Sequence, residues 1–152
     1  MKIVVQRVLS ASVHVNNQRV AHIEHGMLLL VGIEPHDTQE VLQAMCKKLL
    51  NMRFFSDSNG KMNHNIKQVN GNVLLVSQFT LCASVAKGNR PSFTQAAPPD
   101  MARALFQDFA QCFMNEGLNR IQLGVFGADM KVSLQNDGPV TFFLDSSQIV
   151  KC

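Results

Sequence analysis

Ser77, Gln78 and Thr80 put two hydroxyls and a carboxamide directly after the unbroken aliphatic run Val73-Leu74-Leu75-Val76. Such groups at the end of a buried strand lie where ligands are usually met in α/β folds, which makes this stretch the candidate site. An Asn70-Gly71 turn precedes the run, and its continuous apolar character predicts a strand covered on both faces. With a two-residue period, Gln78 and Thr80 point to one face while Ser77, Phe79 and Leu81 point to the other. Thr and Phe also favour strands for their own sake, so the same polar end is compatible with the plain start of a loop.

Other chemistries find less support. The five histidines, His14, His22, His25, His36 and His64, lack zinc spacing, so no metal and no other cofactor is expected. There is no glycine-rich phosphate loop, no Gly-x-Ser-x-Gly elbow and no pair of carboxylates inside a polar strand end. Cys82 is a candidate thiol nucleophile, but no histidine lies near it in sequence. Gly138-Pro139 offers a further possibility, because an X-Pro bond loses only about 0.5–1 kcal/mol on becoming cis. Two successive carbonyls would then point the same way, and the planar donors of Arg7 would hold them if the first strand runs alongside. A plain hairpin turn ending in Pro accounts for the same residues.

The elements that must position these groups follow from pattern. Residues 2–8 alternate as a first strand, and residues 11–15 and 18–23 flank Asn16-Asn17 as a hairpin. Residues 27–33 form an aliphatic strand stopped by Pro35. Asp37 opens a helix with Glu40 three residues on, and Val41, Leu42, Met45, Cys46, Leu49 and Leu50 follow at helical spacing. Residues 53–56 predict a short strand, the Asp57-Ser58-Asn59-Gly60 turn follows, and Asn63-His64-Asn65 reads as loop. After a long connection, Pro98-Pro99-Asp100 starts a second helix whose stripe is Met101, Leu105, Phe106, Phe109 and Phe113. Strands are expected over 121–126 and 130–134, with a turn at Asn136-Asp137-Gly138-Pro139 and a last strand over 140–144. This order argues an α/β fold: a single domain over residues 1–152, with a mixed, curled, barrel-like sheet and two main helices on one side.

Apolar residues make up 46% of the chain and charged residues 16%, an ordinary globular composition without charge blocks. The longest apolar run, residues 27–31, is too short to span a bilayer, and the chain opens on a strand pattern. Cys46, Cys82, Cys112 and Cys152 form no CxxC pair, which suits reduced thiols and a cytoplasmic location. A formal charge of +3 is well short of that of proteins that grip long stretches of nucleic acid, though it leaves room for limited phosphate contact.

Four words of the sequence together resemble the D-aminoacyl-tRNA deacylase family: Ser77-Gln78-Phe79-Thr80-Leu81, Lys87-Gly88-Asn89-Arg90-Pro91-Ser92-Phe93, Phe126-Gly127-Ala128-Asp129-Met130 and Asn136-Asp137-Gly138-Pro139-Val140-Thr141. The likeness spans nearly the whole chain. One departure is Ser84-Val85, where relatives commonly carry Asp followed by Thr or Cys.

The resemblance implies a homodimer, with active sites at the subunit interface, that cleaves the ester between a D-amino acid and the 3′-terminal adenosine of tRNA. It also implies removal of mischarged glycine. Carried onto this chain, Ser77, Gln78, Phe79 and Thr80 form the catalytic strand end. Gly138 and Pro139, joined by a cis bond and supported by Arg7, enter the partner's pocket as the chirality motif. Phe126, Ala128, Met130, Val140 and Thr141 line the aminoacyl-adenosine pocket, and Lys87 and Arg90 meet tRNA phosphates, with Lys61 and Lys67 as further candidates. Two other readings stay open on the residues alone: an RNA-end or small-molecule binding module without turnover, and a cysteine hydrolase built on Cys82.

Overall fold

The computed structural model describes residues 1–149, so Cys152 lies outside the described residues. In chain order the elements are β1 (Lys2–Val15), β2 (Gln18–Ile23), β3 (Gly26–Gly32), α1 (Gln39–Asn51), β4 (Phe55–Ser56), β5 (Met62–His64), β6 (Asn72–Ser77), α2 (Pro99–Asn115), β7 (Ile121–Leu123), β8 (Lys131–Asp145) and α3 (Ser146–Ile149). A 3-10 turn at Phe79–Cys82 follows β6 directly.

The main sheet runs β2-β1-β3-β6-β7, and β8 pairs β1 along its other edge. Residues 2–8 and 11–15, expected as separate strands, are one continuous strand. Asn16 and Asn17 supply the positive φ values, 49° and 62°, that turn β1 back into β2. Beyond that turn β2 and β3 follow the same edge of β1, Ala11 facing Ile23 and Val8 facing Gly26.

The pairs β3–β6 and β6–β7 are parallel, and parallel neighbours need crossovers, which α1 and α2 provide. Right-handed crossovers that advance in one direction along a sheet stack their helices on one face. Accordingly Ile3, Val5, Leu29 and Leu75 share a core with Leu42, Leu49, Phe106, Phe109 and Phe113. Each phenylalanine buried there contributes about 1.5–3 kcal/mol. The opposite face is filled by Val8, Val13, Ile23, Leu28, Leu74 and Val76 as the sheet curls on itself. The mixed barrel-like sheet and the helices on one side are as expected, and β6 is buried on both faces from Val73 to Val76.

Three local readings are corrected. Asp37 does not cap α1: Thr38 holds that position without a side-chain cap bond. The Asp37 carboxylate instead accepts from the Met1 ammonium at 2.5 Å and from the Glu34 N–H at 2.7 Å, a tertiary role that outcompetes capping. Asn63 and His64 are not loop but part of β5, paired with β4. Residues 136–139 do not reverse the chain. β8 stays antiparallel to β1 throughout, with Asn136 opposite Val8 and Thr141 opposite Gln6, so residues 137–140 bulge against the single residue Arg7. Gly and Pro suit a bulge as well as a turn, and sequence does not separate the two.

Candidate active site

A cavity of about 310 Å³ opens at the C-terminal ends of the three parallel strands. Val31 from the end of β3 and Val76 and Ser77 from the end of β6 form part of its lining, with Gln78 and Phe79 beyond them. Phe126, Gly127, Ala128, Asp129 and Met130 come from the connection between β7 and β8, Ala97 from the segment just before α2 and Ala102 from its first turn. Its position follows from topology, since the loops leaving parallel strands diverge there. The structure thus brings together Ser77, Gln78, Phe79, Phe126, Ala128 and Met130, all named from sequence.

The expected two-residue alternation stops at Ser77, because the chain tightens into the 3-10 turn. This changes which backbone donors the strand end leaves free. The Gln78 N–H is held by the Val31 carbonyl at 2.7 Å, and the Leu81 N–H by the Gln78 carbonyl at 3.2 Å. Between them the N–H groups of Phe79 and Thr80 have no acceptor among the described residues, as the first donors of a helical turn have no partner within it. The Thr80 hydroxyl accepts from the Gln78 carboxamide and is not among the groups that line the cavity. Phe79 is 56% exposed and meets the Phe93 ring edge-on at a centroid distance of 5.0 Å.

The other sequence-named residues lie elsewhere on the same chain. The Gly138–Pro139 bond is cis. A Cβ at Gly138 would sit 2.8 Å from the Val140 backbone nitrogen, which explains the glycine. Arg7, buried at 8% exposure, donates from Nε to the Asp137 carbonyl at 2.9 Å and from Nη1 to the Phe54 carbonyl at 2.6 Å. Its hold is therefore one residue before Gly138. Val140 is packed in the helix-side core, and the Thr141 hydroxyl donates to Gln6. Lys87 and Arg90 stand exposed on the loop that the Ser84–Ser92 bridge closes. Lys61 is exposed too, while the Lys67 ammonium donates to the Glu116 carbonyl at 2.5 Å.

Burial pushes the Cys82 thiol above its ordinary value, with the nearby Glu34 carboxylate adding to the effect. The group is fully covered and sits 3.6 Å from the Ile33 carbonyl. It is a packed thiol, the opposite of an activated one. Sequence reasoning did not single out Asp129 as a site residue, although among the described residues it is the one ionisable side chain lining the cavity; its carboxylate pairs with Lys131 at 2.7 Å. Val31 and Ala102 were also missed, and only their places at a strand end and a helix start could have signalled them.

A curled mixed sheet with a largely apolar cavity and a polar strand end defines a class that comparison makes specific. A family model described as D-Tyr-tRNA(Tyr) deacylase matches residues 4–145. A D-aminoacyl-tRNA deacylase of Teredinibacter turnerae is 50% identical over 146 residues, covering 96% of this chain and 100% of the relative. One from Flavobacterium johnsoniae is 49% identical over 146 residues, covering 96% of this chain and 97% of the relative. Among solved structures, one titled c-Myc DNA Unwinding Element Binding Protein superposes with a TM-score of 0.89 at 42% identity, covering 95% of this chain and 98% of that one. A probable eukaryotic D-amino acid tRNA deacylase shares the fold, with a TM-score of 0.83 at 18% identity over 94% of this chain and 97% of that one. The chain belongs to the D-Tyr-tRNA(Tyr) deacylase family.

Proposed function

We propose that this chain hydrolyses the ester of D-aminoacyl-tRNA, releasing a free D-amino acid and tRNA, and that the cavity at the end of β6 takes the aminoacyl-adenosine. The observation that carries this reading is the pair of N–H groups at Phe79 and Thr80, unpartnered among the described residues, at the strand end that leads into the largely apolar cavity. Water adds to the ester carbonyl carbon, aided by the ribose 2′-hydroxyl of the tRNA itself. The developing oxyanion takes hydrogen bonds from the two N–H groups, and the 3′-oxygen leaves with a proton. Each such donor is worth about 3–4 kcal/mol in comparable oxyanion holes. An aminoacyl ester is already activated, so positioning and charge stabilisation supply most of what is needed. Among the described residues the Thr80 hydroxyl has no activating base beside it, only the Gln78 carboxamide, which argues against its acting as nucleophile.

Selectivity for the D-enantiomer comes from a wall of backbone carbonyls at Gly138 and Pro139 supplied by a second copy of the chain. A wall blocks one direction from Cα without reading the side chain, so many D-amino acids pass and glycine passes as well. What supports a second copy is β8: it pairs only with β1 among the described strands and leaves Leu134 and Phe143 exposed. Among the described residues no helix is long and apolar enough to cross a membrane.

The experiment is release of amino acid from D-tyrosyl-tRNA and L-tyrosyl-tRNA at equal enzyme. Rapid loss of the D-ester with the L-ester spared supports the reading. Loss of both keeps the hydrolase and removes the chiral wall, and binding without release turns the protein into an RNA-end binding module.

A further inference from the structure

Arg103 stands in the second turn of α2, next to the cavity-lining Ala102, and is exposed. Its guanidinium lies over the Phe126 ring at 4.9 Å from the centroid. That ring lines the cavity and leans on Phe106 from the core at 6.0 Å, so the aromatic platform is braced from below. Beside the platform, Gly127 lacks a Cβ and has φ +78°, and a Cβ built there would come 3.8 Å from the Arg103 terminal nitrogen. The arginine is therefore held by one face at the rim of the cavity. It makes no ion pair or side-chain hydrogen bond among the described residues, and the cavity-lining carboxylate of Asp129 pairs with Lys131.

A guanidinium stacked on an aromatic ring keeps its donor edges free, and that planar fork matches a phosphate with two parallel hydrogen bonds. The cavity would be occupied by the terminal adenosine, whose only charged neighbour in the RNA is the phosphate that joins it to the preceding nucleotide. We propose that Arg103 is a positioning residue that grips a phosphate of the tRNA 3′ end and so fixes the ester against the Phe79 and Thr80 N–H groups. This rests on the reading of the β6 cavity as the ester site. It adds a fixed cation at the cavity rim to the cations of the 87–90 loop.

The test compares D-tyrosyl-tRNA with D-tyrosyl-adenosine, which carries no phosphate, using wild type, Arg103→Gln, Arg103→Lys and Phe126→Ala. For Arg103→Gln, KM on D-tyrosyl-tRNA is expected to rise about tenfold, the scale of one charge-assisted hydrogen bond, with a much smaller change in kcat. The slope of log affinity against log salt should flatten by about 0.7, the share of one phosphate on single-stranded RNA. Arg103→Lys should restore the slope while leaving KM between the two, because it returns the charge without the fork. On D-tyrosyl-adenosine the Arg103→Gln penalty should largely disappear. Equal penalties on both substrates would make Arg103 a prop for Phe126 and overturn the proposal, as would an unchanged KM on tRNA. Should Phe126→Ala slow neither substrate, the cavity is not the ester site and both readings fall; a damaging Phe126→Ala beside a silent Arg103→Gln removes Arg103 alone.

Discussion

The guanidinium of Arg7 holds Asp137 twice, Nε lying 2.9 Å from its backbone carbonyl and 3.0 Å from its carboxylate. The same side chain satisfies the Phe54 carbonyl inside the protein, so one arginine ties the β8 bulge to the segment before β4. Arg7→Met leaves that carbonyl without its donor and Asp137 without its cation. A buried acceptor left unpaired costs about 1–3 kcal/mol, which urea unfolding at neutral pH would register as a lower midpoint with unchanged slope. Arg7→Lys keeps a charge but not the fork, and should raise L-ester hydrolysis relative to D-ester hydrolysis by loosening the segment that leads into Gly138. An unaltered ratio would detach Arg7 from selectivity.

Thr80 separates hydroxyl from backbone chemistry. Thr80→Ala removes a hydroxyl engaged, among the described residues, only by Gln78, and most of the turnover of D-tyrosyl-tRNA should survive. Thr80→Pro removes the N–H, and a loss of about 100-fold or more in kcat is expected, as for other oxyanion donors. Comparable losses in the two variants would restore the hydroxyl as nucleophile.

Cys82→Ala should leave deacylation close to wild type, with at most a modest fall in stability. The thiol is fully buried and its pKa is raised by that burial, so thiolate is scarce at neutral pH. Complete inactivation by a small alkylating reagent, prevented by Cys82→Ala, would revive the cysteine hydrolase.

Lys87 is exposed on a loop that carries no cavity-lining side chain. Lys87→Ala should weaken all tRNAs alike and flatten the salt slope by about 0.7, the mark of one backbone phosphate. Loss confined to one tRNA, measured by filter binding across several isoacceptors, would count against a phosphate contact.

Acid should loosen the β4–β5 hairpin through Asp57. Its carboxylate accepts from the Lys61 and Asn59 N–H groups and from the Asn63 carboxamide, and these bonds hold its pKa below the ordinary value of 3.8. A depressed folded pKa means that the contribution is complete above the ordinary value and disappears as pH falls through the folded one. Hydrogen exchange of the hairpin amides between pH 5 and 2.5 should therefore show protection falling at the acid end, and Asp57→Asn should remove that pH dependence.

How much of this was visible in the chain depends on the range of the interaction. Asn16-Asn17 and the stripe of Phe106, Phe109 and Phe113 are local signals, and the structure follows them. Asp37 looked like a cap because its neighbours fit one, yet its partner is the Met1 ammonium at the far end of β1. The bulge at residues 137–140 looked like a hairpin because Asn, Asp, Gly and Pro suit both, and only the pairing of β8 with β1 separates them. At the site, Ser77, Gln78 and Phe79 were legible as polar and aromatic residues closing an aliphatic run. The free N–H groups were not, since backbone donors carry no letter. Arg103 gave no signal either, because its meaning comes from the ring of Phe126 across the fold.

The pairing of β1 with β8 also dictates a timetable. Lys2 meets Asp145 and His14 meets Lys131, so β1 takes its second neighbour from a strand made much later in synthesis. Until then β1 and the β2–β3 edge can close as a local hairpin, leaving one side of β1 with open hydrogen-bonding groups. A nascent chain halted before β8 is thus a strand in search of a partner, and the emergence of β8 is what ends its exposure to neighbouring chains.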